Sequence, residues 1–145
     1  MRPMQSVPTY LHVQPDGELP RWRSDTPFRC VVIVEADVSS DWRLSMSDWL
    51  VDAGCRYMLA WGRDCSLWDD TVDEANLARF NFGDMPEDQR VTTTWHAGEP
   101  LHDVFEFAKA WASHPTVALR DTVLVHVTPS ASEAEMLAVF QNAGD

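Results

Sequence analysis

Four short runs typical of strands, three of them apolar and one rich in threonine, alternate with segments of helical periodicity, and this alternation restricts the chain to a small set of folds. The runs occupy residues 30–34, 57–61, 91–95 and 123–127. Strands that alternate with helices form parallel sheets through right-handed crossovers. A chain of 145 residues has the length of one domain. The sequence therefore predicts a single three-layer α/β domain with a short, mostly parallel four-stranded sheet flanked by helices.

The first predicted helix has the clearest pattern. Its apolar stripe consists of Trp42, Met46, Trp49, Leu50 and Ala53. Spacings of i, i+4, i+7, i+8 and i+11 place these side chains on one face of a helix. Ser39 or Ser40 can cap the start of this helix, and Gly54 can adopt the left-handed conformation that follows its end.

Start signals predict three further helices. The second should begin near Asp69, because carboxylates there face the positive end of the helix dipole. The third should begin at Pro100, a favoured first-turn residue, and should carry Trp111 on its core stripe. The fourth should open with a capping box formed by Ser130 and Glu133.

Residues 1–27 are predicted to form a proline-rich arm ahead of an α/β body that spans residues 28–145. Five of the nine prolines lie in this arm. Proline at this density prevents a helix and disfavours a central strand. Residues 10–13 can still form a short edge strand.

Most polar side chains that can carry chemistry follow the predicted strands. Ligands of open α/β sheets bind at the carboxyl ends of the strands, where the strand order reverses. The orders 3-2-1-4 and 2-1-3-4 both remain open, and the first places that crevice between strands one and four. Glu35 and Asp37 are candidate catalytic residues that can hold a metal ion or hydroxyl groups, with His96 as the general base. The candidate ligand-binding residues are Arg63, Asp64, Trp95 and His126.

His126 can instead be a hydrogen-bonded core histidine, because it lies inside an apolar strand. The sequence contains no HExxH motif, no Cys/His cluster, no GxGxxG loop and no P-loop. It therefore predicts neither a bound metal nor a cofactor.

Acidic side chains concentrate in the second half of the chain. Residues 1–63 carry seven arginines and eight carboxylates, whereas residues 64–145 carry four basic and fifteen acidic side chains. The net charge of −12 disfavours nucleic acids and anionic membranes, which require basic surfaces. An acidic face can steer a basic protein partner, or it can serve solubility alone. The predicted partner-binding residues are Trp68, Asp69, Asp70 and Asp73.

Cysteine usage predicts a reducing cytoplasm. Cys30, Cys55 and Cys65 form neither a CxxC motif nor an even disulfide framework. The segment from Met1 to Gln5 lacks the apolar region of a signal peptide. No apolar run has the length of a transmembrane helix.

Three strings carry a resemblance to a known family: YMLAWG at residues 57–62, CxxWDD at 65–70 and TTWH at 93–96. The chain resembles a family of small uncharacterised bacterial proteins over residues 28–129. This resemblance implies a bacterial cytoplasmic protein and no particular activity. In size and charge alone, the chain is also similar to immunity proteins, which neutralise a toxin partner.

Two functions from different classes follow as hypotheses. The leading one is a small acidic interaction protein, of the immunity type, that engages a basic protein partner. The alternative is a small hydrolase or transferase that acts on a nucleotide-like or phosphorylated ligand at the carboxyl ends of the strands.

Overall fold

The computed structural model describes residues 7–144, which form five strands, four α-helices and one 3₁₀ turn. The elements in chain order are β1 (Thr9–Val13), β2 (Phe28–Val34), α1 (Ser40–Ala53), β3 (Cys55–Gly62), α2 (Cys65–Ala78), a 3₁₀ turn (Glu87–Gln89), β4 (Thr92–Trp95), α3 (Leu101–Ala110), β5 (Asp121–Val127) and α4 (Glu133–Asn142). The α/β class is confirmed. The sheet has five strands rather than four, because the edge strand within the arm forms and joins it.

All strand pairs are parallel, and the sheet order is β1-β5-β2-β3-β4. The four strands predicted from the sequence therefore take the order 3-2-1-4, one of the two alternatives. β1 adds to the outer side of β5, with Thr9 opposite Val123 and Val13 opposite Val127. The central position of β2 explains its almost uninterrupted apolar sequence, since both of its faces are covered.

Two hydrophobic cores lie on opposite faces of the sheet. On one face Cys30, Val32 and Val34 of β2 pack with residues of α1 and α2. On the other face Val31 and Ile33 pack with residues of α3 and α4. Alternate residues of one strand thus serve different cores, as the pleat of a strand dictates.

The first helix has the predicted caps. The Ser39 side chain accepts a hydrogen bond from the backbone N–H of Trp42 at 3.1 Å. Gly54 follows the helix with a φ of 115°, a left-handed conformation that costs little for glycine alone. The sequence pattern therefore placed both ends of α1 correctly.

The predicted start of the second helix was wrong by one turn. α2 begins at Cys65 rather than near Asp69, and Asp64 precedes it with a φ of 52° and no side-chain capping bond. Without a capping signal, the true start resembles a loop in the sequence. Trp68 precedes the predicted start, but it lies inside α2 and is fully buried.

Two further helix predictions were wrong in detail. The fourth helix has Ser132 at its N-cap, so Ser130 does not form the predicted capping box. The third helix ends at Ala110, and Trp111 is 71% exposed rather than part of the core stripe.

No helix in residues 7–144 combines the length and apolarity that a bilayer-spanning segment needs.

Candidate functional site

The crevice that strand order creates lies between the carboxyl ends of β2 and β5. The chain leaves β2 toward α1, which packs on one face of the sheet, and leaves β5 toward α4, which packs on the other. The two connections diverge to opposite faces of the sheet, and the point where they part is the usual position of a ligand site in this architecture. Val34 and Val127 at the strand ends are buried, whereas Glu35 is exposed. We call this region the switch crevice and define it by Glu35 and His126.

Glu35 and His126 form a hydrogen bond within the switch crevice. Backbone pairing fixes their positions, because the N–H of Glu35 donates to the carbonyl of Val127 at 2.9 Å. Glu35 Oε1 lies 2.6 Å from His126 Nε2. The imidazole is almost fully buried, whereas the carboxylate side chain is 44% exposed. An external ligand can therefore reach the carboxylate but not the ring.

Tyr10 completes a chain of hydrogen bonds that reaches back into the arm. Its hydroxyl lies 2.7 Å from His126 Nδ1 and accepts a hydrogen bond from the backbone N–H of Ser132 at 3.0 Å. The hydroxyl can donate its own proton to Nδ1 in the tautomer whose proton lies on Nε2, and Nε2 then donates to Glu35. Sequence reasoning missed Tyr10; its only local signal was its place in the short edge strand.

Asp37 and Arg63 pair with each other instead of joining the crevice. Arg63 Nη1 lies 3.2 and 3.3 Å from the two carboxylate oxygens of Asp37, and both side chains are mostly exposed. The backbone of Arg63 lies close to the end of β2, where its N–H donates to the carbonyl of Val34 at 2.9 Å. A Cβ on Gly62 would lie 2.0 Å from that oxygen, so only glycine fits there. Asp64 follows as an exposed residue with no side-chain bond to α2.

His96 is a buried, fully bonded side chain rather than an open base. Its Nδ1 lies 3.0 Å from Glu99 Oε2, and its Nε2 lies 2.9 Å from Thr94 Oγ1. Its ring packs edge-on against Phe107, with a centroid separation of 5.1 Å. It follows β4, whereas Glu35 follows β2, so the strand β3 separates them. Glu35, Asp37, Arg63 and His96 therefore do not converge on one pocket. Glu35 bonds to His126, Asp37 to Arg63, and His96 to Glu99.

Two of the buried cysteines, Cys30 and Cys55, are not activated for nucleophilic chemistry. The thiols of all three cysteines are free and buried. Burial raises the pKa of Cys55 to about 12 and raises the pKa of Cys30 well above its usual range. Both thiols are thus protonated at neutral pH.

Asp69, Asp70 and Asp73 form an acidic cluster where α2 lies against β4. Thr93 Oγ1 donates to Asp73 at 2.8 Å. Burial raises the pKa of Asp69, and its neighbour Asp73 raises it further. Burial also raises the pKa of Asp73 against the opposing effect of the Thr93 hydrogen bond. Within residues 7–144, none of the three carboxylates makes an ion pair.

Two tryptophans beside this cluster differ in exposure. Trp95 ends β4 two residues after Thr93 and is 53% exposed, so it shares a face with the threonine that contacts Asp73. Trp68 is buried against Trp42 at a centroid separation of 6.1 Å, so the prediction that it contacts a partner was wrong. We call Asp69, Asp70, Asp73 and Trp95 the acidic edge.

Two surface hollows lie away from both regions. One is lined by His102, Asp103 and Glu106 with residues of α4, and the other by Thr26, Arg120 and their neighbours. In the described part of the chain, no group of three His, Cys, Asp or Glu side chains is placed to hold a metal ion.

Comparison with known proteins identifies a family. No curated protein and no solved structure gives a significant match to the chain. A family model described as "Domain of unknown function (DUF7684)" matches residues 8–143. The match includes β1 and every other strand and helix of the structure. The chain therefore belongs to the DUF7684 family, a domain family of unknown function.

Proposed function

We propose that this protein is a small acidic interaction protein, of the immunity type, that binds a basic protein partner through the acidic edge. The observation that carries the proposal is the partial burial of two carboxylates, Asp69 and Asp73, that lack a basic partner within residues 7–144. Both are partly buried, both have raised pKa values, and neither is ion-paired within residues 7–144. A lysine or arginine of a partner would relieve their mutual repulsion on binding.

The exposed Trp95 supports the same surface. Tryptophan and tyrosine anchors carry much of the binding free energy in protein interfaces. The Trp95 ring is 53% exposed and lies on the same strand face as Thr93, which contacts Asp73. It can offer a basic side chain an aromatic face in addition to a countercharge. A bacterial cytoplasmic location belongs to the proposal, since a reducing compartment keeps the three cysteines as thiols.

The test is the association rate with a basic candidate partner encoded beside this chain, measured at several ionic strengths. Asp69→Asn with Asp73→Asn should slow association at low salt, because electrostatic steering acts on the on-rate. Asp25→Asn with Asp84→Asn is the matched control, since it removes the same charge from two exposed positions outside the acidic edge. An association rate that ignores salt, or equal slowing by both double variants, would contradict the proposal.

One specific observation favours a second function, a hydrolase or transferase for nucleotide-like or phosphorylated ligands. Glu35 is exposed at the switch crevice and is hydrogen-bonded to the buried His126, an arrangement in which the imidazole holds a carboxylate ready to accept a ligand hydroxyl. Calorimetry with a panel of nucleosides and sugar phosphates tests this alternative. Binding should occur with the parent and fall with Glu35→Gln; equal binding by both proteins, or none by the parent, would exclude it.

A further inference from the structure

The outer edge of β4 carries backbone groups that the sheet leaves unpaired. Within residues 7–144, β4 is the last strand in the sheet order and pairs with β3 on one side alone. The N–H of His96 donates to the carbonyl of Ala60 in β3 at 3.0 Å. In a parallel pair, the N–H and C=O of one residue point to the same side, and this side alternates along the strand. Thr92 and Thr94 therefore face β3, whereas Thr93 and Trp95 face outward.

The chain closes this outer edge at one end and leaves the other open. The outward N–H of Val91 donates to Asn76 Oδ1 at 2.9 Å, and Asn76 Nδ2 donates to the carbonyl of Gln89 at 3.0 Å. Asn76 thus substitutes for a neighbouring strand at the start of the edge. No such partner serves the backbone groups of Thr93 and Trp95 within residues 7–144, which leaves two donors and two acceptors for an added strand.

The side chains beside the open groups are those of the acidic edge. Thr93 contacts Asp73, and Trp95 lies on the same face two residues later. In an added strand, alternate residues would project toward this face at a spacing of about 7 Å, twice the rise per residue. Basic residues at those alternate positions would meet Asp69 and Asp73, which α2 holds one helical turn apart.

We propose that the partner binds by strand addition: an extended segment with lysine or arginine at alternate positions pairs with the Thr93–Trp95 edge of β4. This inference rests on the proposed function and specifies the form of its partner. Charge complementarity selects a basic segment over a second copy of this chain, because a copy docked edge to edge would place two sets of these carboxylates side by side.

Peptides of equal composition separate strand addition from simple charge attraction. The probe is a synthetic peptide of about ten residues in which lysine and threonine alternate, long enough to span the open edge. The control has the same residues arranged as a lysine block and a threonine block. The alternating peptide should bind the full chain about tenfold more tightly than the block peptide. N-methylation of its alternate backbone nitrogens should abolish that advantage in one of the two methylation registers, because strand pairing needs those donors.

A protein variant tests the same contact from the other side. Thr93→Pro removes an outward N–H but no bond to β3, and proline is tolerated at such edge positions. Thr93→Ala is the matched control, since both variants lose the hydroxyl that donates to Asp73. Affinity for the alternating peptide should fall about tenfold further in Thr93→Pro than in Thr93→Ala. If Thr93→Pro does not fold, the N-methylated peptides decide the question with the unmodified protein.

The outcomes distinguish the two proposals. Equal affinity for the alternating and block peptides would overturn strand addition while leaving the acidic edge as a charge-based surface. Failure of both peptides to bind would overturn the proposed function together with this inference. A dimer in sedimentation experiments that Thr93→Pro dissociates would assign the edge to a second copy and would also overturn it.

Discussion

Removal of the two partly buried carboxylates of the acidic edge should stabilise the protein at neutral pH. Asp69 and Asp73 are one turn apart on α2, and like charges at i,i+4 repel by about 0.2–0.5 kcal/mol. Asparagine at position 73 still accepts the hydrogen bond from Thr93, so Asp69→Asn with Asp73→Asn should keep that contact. After allowance for partial solvent screening, we expect a gain of about 0.5 kcal/mol in the free energy of unfolding.

The gain should depend on pH in a defined direction. Burial and the neighbouring carboxylates raise the pKa of both groups above their ordinary value of 3.8. The folded state therefore binds more protons than the unfolded state between the ordinary and the raised pKa, and stability falls as pH rises through that window. The double variant lacks this loss, so its advantage over the parent should be complete above the window and should vanish below about pH 3.8.

Urea unfolding at about pH 7 and near pH 3 measures both effects. For a chain of this length the gain corresponds to a rise in Tm of about 1–2 °C at neutral pH. Asp25→Asn with Asp84→Asn controls for the change in net charge. If the Asp69/Asp73 double variant loses more than about 1 kcal/mol at neutral pH, the ionised carboxylates stabilise the fold and the repulsion argument is wrong.

Four other substitutions test the packing described above by thermal or urea unfolding. Gly62→Ala should destabilise the fold by about 3 kcal/mol, since position 62 has a φ of 100° and the added Cβ would collide with the carbonyl of Val34. A loss below about 1 kcal/mol would mean that β2 and β3 can move apart at this position. Trp68→Ala should cost about 3–5 kcal/mol as a cavity in the core, whereas Trp111→Ala should stay within about 0.5 kcal/mol, and equal effects would refute the assigned burial. Tyr10→Phe should cost about 1–3 kcal/mol, because it leaves His126 Nδ1 and a backbone N–H without their partner; an unchanged stability would show that water replaces the hydroxyl.

Local patterns predicted most of the fold. Apolar runs located β2, β3 and β5, and a threonine-rich run located β4. Ser39 and Gly54 marked both ends of α1, because caps and strand burial leave signals in neighbouring residues. The start of α2 was misplaced because Asp64, which precedes it, has a left-handed conformation and makes no capping bond. Trp111 was misplaced because an apolar periodicity does not reveal that the helix ends one residue earlier.

The candidate sites depend on contacts that no local pattern encodes. The sequence pointed to Glu35 and His126 separately, but their hydrogen bond joins residues 91 positions apart, and the Tyr10 contact spans 116. His96 looked like an open base because its partner Glu99 lies in the same loop, where only the backbone conformation decides whether the two side chains meet. The positions of polar residues near strand ends were thus predictable, whereas their pairing was not.

The place of β1 in the sheet sets the order in which the chain can assemble. Among the strands of residues 7–144, β1 pairs with β5 alone, and β5 separates it from β2. During synthesis the strands β2, β3 and β4 all emerge before β5, so their pairing can begin while the arm has no neighbour to join. Contacts of such sequence separation form slowly because a long loop must close first. β1 thus leaves the ribosome before the other described strands, yet it is among the last strands that can join the sheet.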